Sequence, residues 1–168
     1  MIDLNEIKKN IFKKENFYFL TIILLVFSID RYSKIKIINN FSDISFYLND
    51  FMNFNLLWNT GIGFGLLSSN SNLFYNLTSG AIALVIIFLI IIGTNSERFD
   101  KFSFSIIIGG ALGNFYDRIF TKAVPDFIDL HYGSFHWFTF NVADIFITLG
   151  IIAFLMKSFF VKNNNDAN

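Results

Sequence analysis

The chain consists of long apolar runs separated by shorter polar connections. Four runs with few or no charges cover residues 17–38, 73–92, 102–120 and 138–156. A helix needs about 20 predominantly apolar residues to cross the hydrocarbon core of a bilayer. The pattern therefore predicts four spanning helices within a single integral membrane domain, residues 1–168.

The first apolar run follows a lysine-rich start, a combination that also occurs in cleaved signal peptides. The run ends on Ser28, Ile29, Asp30 and Arg31 rather than on a pair of small residues, and the apolar pattern continues to Ile38. We therefore interpret it as a retained spanning helix.

The longest polar connection, residues 39–72, has its own internal pattern. Residues 53–59 largely alternate between apolar and polar side chains, which predicts a short β-strand. Residues 59–65 follow with three glycines at a spacing of two, which permits a tight, exposed backbone. Residues 66–72 are predicted to form a short surface helix or turn.

Basic residues predict the orientation of the four helices. Lysine and arginine concentrate in the N-terminal tail, in the 93–101 loop and in the C-terminal tail. Short loops rich in these residues stay in the cytoplasm, so both termini are predicted to be cytoplasmic. The 39–72 and 121–137 connections then lie outside, and the polar ends of the first, third and fourth spans meet near the outer surface.

The composition narrows the class of protein. The chain is 54% hydrophobic and only 15% charged, and its mean hydropathy of +0.52 excludes a disordered chain and argues against an ordinary soluble domain. Lys plus Arg and Asp plus Glu both number 13, so the zero net charge gives no reason to expect a nucleic-acid partner. Cysteine is absent, and the two histidines, His131 and His136, make a histidine-rich metal site hard to build. We therefore expect no metal and no cofactor.

Ionisable side chains lie in or beside the apolar runs. Each costs roughly 2.5–3.5 kcal/mol at the centre of a membrane helix on insertion scales, so a chain that keeps several close together is expected to use them. The group comprises Asp117, Arg118, Asp126, Asp129 and Asp144, and Asp30 lies at the end of the first run.

Two sets of these residues have helical spacing. Asp30 and Lys34 are four residues apart, which predicts an ion pair at the end of the first span. Asn114, Asp117 and Arg118 share one face of the third span. The structural interpretation of that face is a packed interface closed by an Asp117–Arg118 pair. The functional interpretation makes Asn114 and Arg118 donors to a bound peptide or lipid group.

Gly109 and Gly113 stand one turn before this face. Two small residues at a spacing of four allow neighbouring helices to approach closely. The sequence therefore predicts a tight helix contact beside the polar cluster.

Asp126 and Asp144 are candidates for a catalytic pair. Two carboxylates that share a water can divide the chemistry: one removes a proton from the water and the other donates a proton to the scissile carbonyl. Asn141 lies three residues before Asp144, at the start of the fourth span. The structural alternative is that Asp126 is an ordinary loop residue and that Asp144 is a membrane carboxylate whose hydrogen bonds are satisfied within the protein. Asp129 competes with Asp126, and the spacing does not separate them.

Four blocks in order resemble lipoprotein signal peptidase, the signal peptidase II of bacteria. They cover about residues 17–156. Gly63 stands where alanine is usual in the family, and Pro125 stands where valine is common. The blocks are Asp30-Arg-Tyr-Ser-Lys34, Asn59-Thr-Gly-Ile-Gly-Phe-Gly65, Gly109 to Arg118, and Val124-Pro-Asp-Phe127 followed by Phe140 to Asp144.

The resemblance implies an all-α membrane protein: a four-transmembrane-helix bundle with a small extracytoplasmic β-sheet and a short surface helix. It implies an aspartic endopeptidase of the bacterial cytoplasmic (inner) membrane. The implied reaction removes the signal peptide of prolipoproteins just before a diacylglyceryl-modified cysteine. The expected partners are these prolipoproteins and membrane lipid, with no nucleic acid, and the protein is expected to be a monomer.

The resemblance also assigns roles to residues. The implied catalytic dyad is Asp126 and Asp144. The residues that match substrate-binding positions are Asn59, Asn114, Arg118 and Asn141. The residues that match structural positions are Asp30, Lys34, Gly61, Gly109, Gly113 and Asp117.

Two other functions remain open on the residues alone. Intramembrane Asp and Arg also mark ion paths, so a small ion- or proton-coupled transporter is possible. The cytoplasmic halves of the second and fourth runs carry no charge, which argues against such a path. The other alternative is a non-catalytic membrane scaffold that binds lipoproteins.

Overall fold

The computed structural model describes residues 14–42, 44–61 and 72–165. Within these described residues, four helices and four strands follow one another. In order they are α1 (Lys14–Phe41), β1 (Phe46–Asn49), β2 (Met52–Asn59), α2 (Asn72–Asn95), α3 (Arg98–Phe120), β3 (Val124–Tyr132), β4 (Phe135–Phe140) and α4 (Val142–Asn165).

Helix α3 lies at the centre of the bundle and packs against α1, α2 and α4. Its apolar residues Phe104, Ile107 and Ile108 join Phe19 of α1 and Ile86 of α2 in one buried cluster. The fold is therefore mostly helical, with its main core inside the bundle.

Glycines on α3 allow two neighbouring helices to come close. A Cβ atom on Gly109 would lie 2.7 Å from Cβ of Val26 on α1, and one on Gly110 would lie 2.6 Å from the carbonyl oxygen of Ala143 on α4. Gly113 lies directly against the Asp30 side chain. The close helix contact predicted at Gly109 and Gly113 is confirmed, and it joins α3 to α1.

The four strands form one antiparallel sheet in the order β1-β2-β3-β4. A second buried cluster, built from Ile37, Phe127 and Ile128, packs the sheet against the end of α1. The sheet therefore lies at the end of the bundle where α1 and α3 carry their polar residues.

The sheet is larger than the sequence indicated. The strand predicted within 39–72 is β2, but β1, β3 and β4 were not predicted. Residues 138–140 belong to β4, so α4 begins at Val142, later than the predicted start of the fourth span. A short apolar run is compatible with a strand or a helix, which is why the periodicity alone misplaced this boundary. The predicted surface helix at 66–72 lies outside the described residues except for Asn72.

Among the helices in the described ranges, α2 and α4 are long and apolar enough to cross a membrane by length and composition. Their apolar segments are Tyr75–Asn95 and Val142–Phe160, with mean hydropathies of 2.6 and 1.9. The predicted spans in α1 and α3 contain buried ionisable groups, among them Asp30 and Asp117.

Candidate functional site

Asp126 lies on the central strand β3, where its carboxylate is held by two amide side chains. Its Oδ2 atom accepts a hydrogen bond from Asn59 Nδ2 at 2.8 Å, and its Oδ1 atom accepts one from Asn141 Nδ2 at 2.6 Å. Asn59 is placed there because it ends β2, the strand paired with β3. All three side chains are buried.

Asp144 is fixed by the start of α4. Asn141 Oδ1 accepts a hydrogen bond from the Asp144 backbone N–H at 3.2 Å, and Asp144 Oδ2 accepts one from the Asn141 backbone N–H at 3.1 Å. This reciprocal arrangement is a capping box, which satisfies backbone donors at a helix N-terminus. Asn141 therefore contacts both carboxylates, its side chain on Asp126 and its backbone on Asp144.

A third amide, Asn114 of α3, completes the environment of Asp144. Its Nδ2 atom donates to Asp144 Oδ1 at 2.8 Å, and its Oδ1 atom accepts from Lys34 Nζ at 2.8 Å. Because the lysine can only donate, it orients the amide so that the NH₂ group points at Asp144.

Lys34 belongs to a buried ionic cluster between α1 and α3. Its Nζ atom lies 2.8 Å from Asp30 Oδ2 and 2.7 Å from Asp117 Oδ2. Asp117 also pairs with Arg31, and Asp30 Oδ1 accepts a hydrogen bond from the Ala143 backbone N–H at 2.9 Å. Two acids and two bases therefore balance one another, and the cluster ties α1 to α3 and to the start of α4.

Arg118 makes different contacts from those expected. It donates to the Gly61 carbonyl oxygen at 3.0 Å and to the Asn114 carbonyl oxygen at 3.2 Å, while its own carbonyl oxygen accepts from Tyr75 Oη. The predicted Asp117–Arg118 pair is wrong, because Asp117 faces α1 and pairs with Arg31 and Lys34. Arg118 instead holds the chain that leaves β2.

Asp129 lies on the other face of β3 from Asp126, since side chains three residues apart in a strand point to opposite faces. Its Oδ2 atom lies 2.8 Å from His136 Nδ1. Asp126 and Asp144 therefore both accept hydrogen bonds from Asn141, whereas Asp129 lies on the opposite face of the sheet.

Burial, with a smaller contribution from the charge of Asp144, raises the pKa of the Asp126 carboxyl to about 6. The amide hydrogen bonds from Asn59 and Asn141 oppose this rise because they stabilise the charged form. A carboxyl group with such a pKa can hold or release a proton near neutral pH.

Asp144 borders two apolar cavities. One, of about 670 Å³, lies between α2, α3 and α4, and its polar residues include Asn114, Arg118 and Asp144. The other, of about 300 Å³, is lined by Asp144 together with apolar residues such as Phe138 and Leu149. The Asp144 carboxylate therefore stands where apolar ligand groups can approach it from two sides.

Sequence reasoning missed three contributors to this site. They are Arg31, which pairs with Asp117 and lies over the Tyr116 ring; Tyr75, which bonds the Arg118 carbonyl; and the Ala143 N–H. Arg31 directly follows Asp30 in the sequence, and this position could have indicated that Arg31 belongs to the same ionic cluster. No sequence pattern indicates the other two contacts, which depend on how α2 and α4 pack.

Comparisons with known proteins cover nearly the whole chain. The family model described as Signal peptidase (SPase) II matches residues 22–160. A lipoprotein signal peptidase of Pelagibacter ubique is 45% identical over 153 residues, which are 89% of this chain and 92% of the relative. One of Aquifex aeolicus is 37% identical over 157 residues, 92% of this chain and 93% of the relative.

Solved structures agree with these relatives. One structure of a bacterial membrane enzyme has a TM-score of 0.68 and 29% identity, and covers 88% of this chain and 90% of its own. A second has a TM-score of 0.65 and 27% identity, and covers 83% of this chain and 91% of its own. The residues matched by the family model include the stretch from Asn59 to Asp144, in which the polar side chains converge.

Proposed function

Because the chain belongs to the signal peptidase II family, we propose that it is an aspartic endopeptidase that removes the signal peptide of prolipoproteins. The observation that carries the proposal is the convergence of Asp126 and Asp144 on Asn141, beside cavities that can take apolar groups. The scissile bond is the one just before a diacylglyceryl-modified cysteine.

In the proposed mechanism the two carboxylates activate one water molecule. Asp144 acts as the base, because it receives hydrogen bonds from Asn114 and from a backbone N–H at the start of a helix, where negative charge is favoured. Asp126 holds the proton and donates it to the scissile carbonyl as water attacks.

The polar residues around the dyad position the peptide. Asn59, Asn114 and Asn141 hold the carboxylates, and each is itself held by a second contact, which limits the geometries that the dyad can adopt. Arg118 retains further N–H donors beyond its bonds to Gly61 and Asn114, and these face the peptide backbone in this proposal.

The larger cavity suits the apolar part of the substrate. It runs along α2, α3 and α4 away from Asp144 and is lined almost entirely by aliphatic and aromatic side chains. An acyl chain, or the apolar segment of the signal peptide, placed there would bring the scissile bond to the polar end.

All four helices are proposed to cross the bacterial inner membrane, with the sheet on the outer side. They contain 28, 24, 23 and 24 residues, and at about 1.5 Å per residue each exceeds the roughly 30 Å hydrocarbon core. Their outer faces carry many exposed large apolar residues, as a lipid-facing surface does, while the ionic groups of α1 and α3 point inward.

The direct test is cleavage of a purified diacylglyceryl-modified prolipoprotein by the detergent-solubilised full chain. Wild type is compared with Asp126→Asn and Asp144→Asn, and with Asp50→Asn as a control in the exposed β1–β2 turn. We expect cleavage by wild type and Asp50→Asn and a loss of at least about 1000-fold in the two dyad variants, since neither amide can transfer the proton.

Three results would contradict the proposal. A folded wild-type protein without cleavage would overturn the activity, and normal cleavage by Asp144→Asn would overturn the mechanism. Asp129→Asn is run alongside, and its inactivity combined with an active Asp126→Asn would move the dyad to Asp129.

A further inference from the structure

The β3–β4 hairpin brings together both histidines of the chain and one aspartate. Asp129 and His131 are two residues apart on β3, so their side chains point to the same face of the sheet. His136 pairs directly with His131 across the hairpin, and the two rings stack with their centroids 5.3 Å apart. One ligand atom from each of the three residues lies within 4.8 Å of the others.

A β-bulge in β4 gives His136 this position. Leu130 pairs with Phe138, but the next residue, His131, pairs with His136, so the register passes over Trp137. In a regular strand, His136 would share a face with Phe138 and lie opposite Tyr132. The extra residue reverses the alternation and turns His136 to the face of Asp129.

Two buried polar atoms on this face have no hydrogen-bond partner within the described parts of the chain. One is Nδ1 of His131, whose side chain is only 7% exposed, and the other is Oδ1 of Asn53. Asn53 pairs with Asp129 in the β2–β3 register, so it stands beside the same cluster. Burying such atoms is costly unless a ligand satisfies them.

We propose that Asp129, His131 and His136 bind a divalent transition metal ion, of which zinc fits best. Two imidazole nitrogens and one carboxylate oxygen are a donor set that zinc uses, with Asn53 or water available as the fourth ligand. Donor atoms around zinc lie roughly 3.3–3.5 Å apart, given metal–ligand distances of about 2.0–2.2 Å. The His136 side chain, which is 55% exposed, has room to rotate toward this geometry.

The ion would join the two strands of the hairpin on the face opposite Asp126. It is separate from the proposed hydrolytic site and does not rest on the proposed function. The expectation of no metal was based on the small number of histidines, and it did not foresee that a bulge would bring both of them onto one aspartate.

The test uses the tag-free, detergent-solubilised full chain after chelator treatment, titrated with Co²⁺ and then with Zn²⁺. We expect one Co²⁺ per chain with the visible absorption of a four-coordinate site, displacement of that absorption by Zn²⁺, and a higher Tm when Zn²⁺ is present. The variant His136→Gln keeps the fold because this ring is exposed, and Asp129→Asn replaces the charged carboxylate ligand with a neutral, weaker amide oxygen. Each is expected to weaken binding at least about tenfold.

Asp50→Asn is the control, because it removes a carboxylate from the same sheet but lies outside the cluster; it is expected to bind Co²⁺ as wild type does. The proposal is overturned if wild type binds no Co²⁺ at one equivalent. It is equally overturned if His136→Gln binds with unchanged affinity, since the ion would then lie elsewhere.

Discussion

Asn141 connects the two proposed catalytic residues through separate groups. Its side-chain NH₂ donates to Asp126, its side-chain oxygen caps α4, and its backbone N–H donates to Asp144. The Asn141 side chain thus makes two interactions, one with Asp126 and one with the start of α4, and a substitution can remove the first while keeping the second. A serine at this position keeps a capping oxygen but has no NH₂ group that reaches Asp126.

We predict that Asn141→Ser lowers kcat about 10- to 100-fold, because Asp126 becomes charged as it donates its proton, and a hydrogen bond to a charged group contributes about 1.5–3 kcal/mol. The Tm should remain close to that of wild type, since serine and asparagine cap helices about equally well. Asn141→Ala, by contrast, should also lose about 0.5–2 kcal/mol of stability. Asn40→Ser, at an exposed position on α1, is the matched control, and unchanged kcat in Asn141→Ser would refute the linking role.

The pKa of about 6 for Asp126 leads to a prediction about pH. If Asp126 donates the proton, the active form is the protonated one, and it is lost as the pH rises through the pKa. We therefore expect kcat/KM to fall tenfold per pH unit above about pH 6. Measurement of kcat/KM from pH 4.5 to 8.5 checks this, and a rise through pH 6 would show that Asp126 is the base.

At the level of residues, the sequence predicted which side chains gather but not how they pair. Asp30 and Lys34 form the expected ion pair because their spacing on one helix dictates it. The partners of Asp117 and Arg118 could not be read from spacing, because neighbours on one helix face can turn to different helices. Asp126 and Asp129 were inseparable for a related reason: no strand had been assigned there, so the two-residue alternation that separates them was not available.

Helix α3 is the element on which the site depends, because it contacts every other helix. Gly110 is where it approaches the start of α4, one residue before Asp144. A side chain at Gly110 has to displace the backbone of α4, whereas one at Gly80 of α2 meets nothing within 4 Å. The same substitution at the two sites therefore isolates the effect of helix separation.

We predict that Gly110→Ala destabilises the protein by about 1–3 kcal/mol through overpacking and lowers kcat by moving Asp144. Gly80→Ala should leave activity unchanged and stabilise α2 by up to about 1 kcal/mol, because alanine favours a helix more than glycine does. Thermal unfolding and cleavage rates of both variants in detergent test this. Equal behaviour of the two variants would mean that the α3–α4 contact does not set the position of Asp144.

Secondary-structure elements could be predicted from the sequence where one pattern of apolar residues continued over a long segment. The four described helices overlap the apolar runs, but their ends differ by up to nine residues. The largest differences are in α4, which begins at Val142 rather than at 138, because the strand β4 precedes the Asn141 cap, and ends at Asn165 rather than at 156. Strand β3 was missed because it is buried along most of its length and so shows no alternation of apolar and polar residues. The sheet also joins the 39–72 connection to the strands after α3. Such pairing between segments distant in sequence cannot be predicted from local sequence patterns.

For the molecule as a whole, the decisive question is whether the ionic helices α1 and α3 cross the membrane. Their charges are internal and paired, which removes most of the cost of placing them in lipid. The loop before α3 contains Ser96, and the turn after β3 contains Ser134. If α3 spans the membrane once, these two serines must lie on opposite sides.

The absence of cysteine makes this directly measurable, because each variant then carries a single thiol. We predict that Ser134→Cys reacts with a membrane-impermeant maleimide in intact spheroplasts, since the sheet is proposed to lie outside. Ser96→Cys should react only after the membrane is opened, since Arg98 and Lys101 follow it in the first turn of α3 and assign this end of the helix to the cytoplasm. Labelling of both thiols in intact spheroplasts would show that α3 does not cross, whereas the reverse pattern would invert the orientation and place the proposed dyad on the cytoplasmic side.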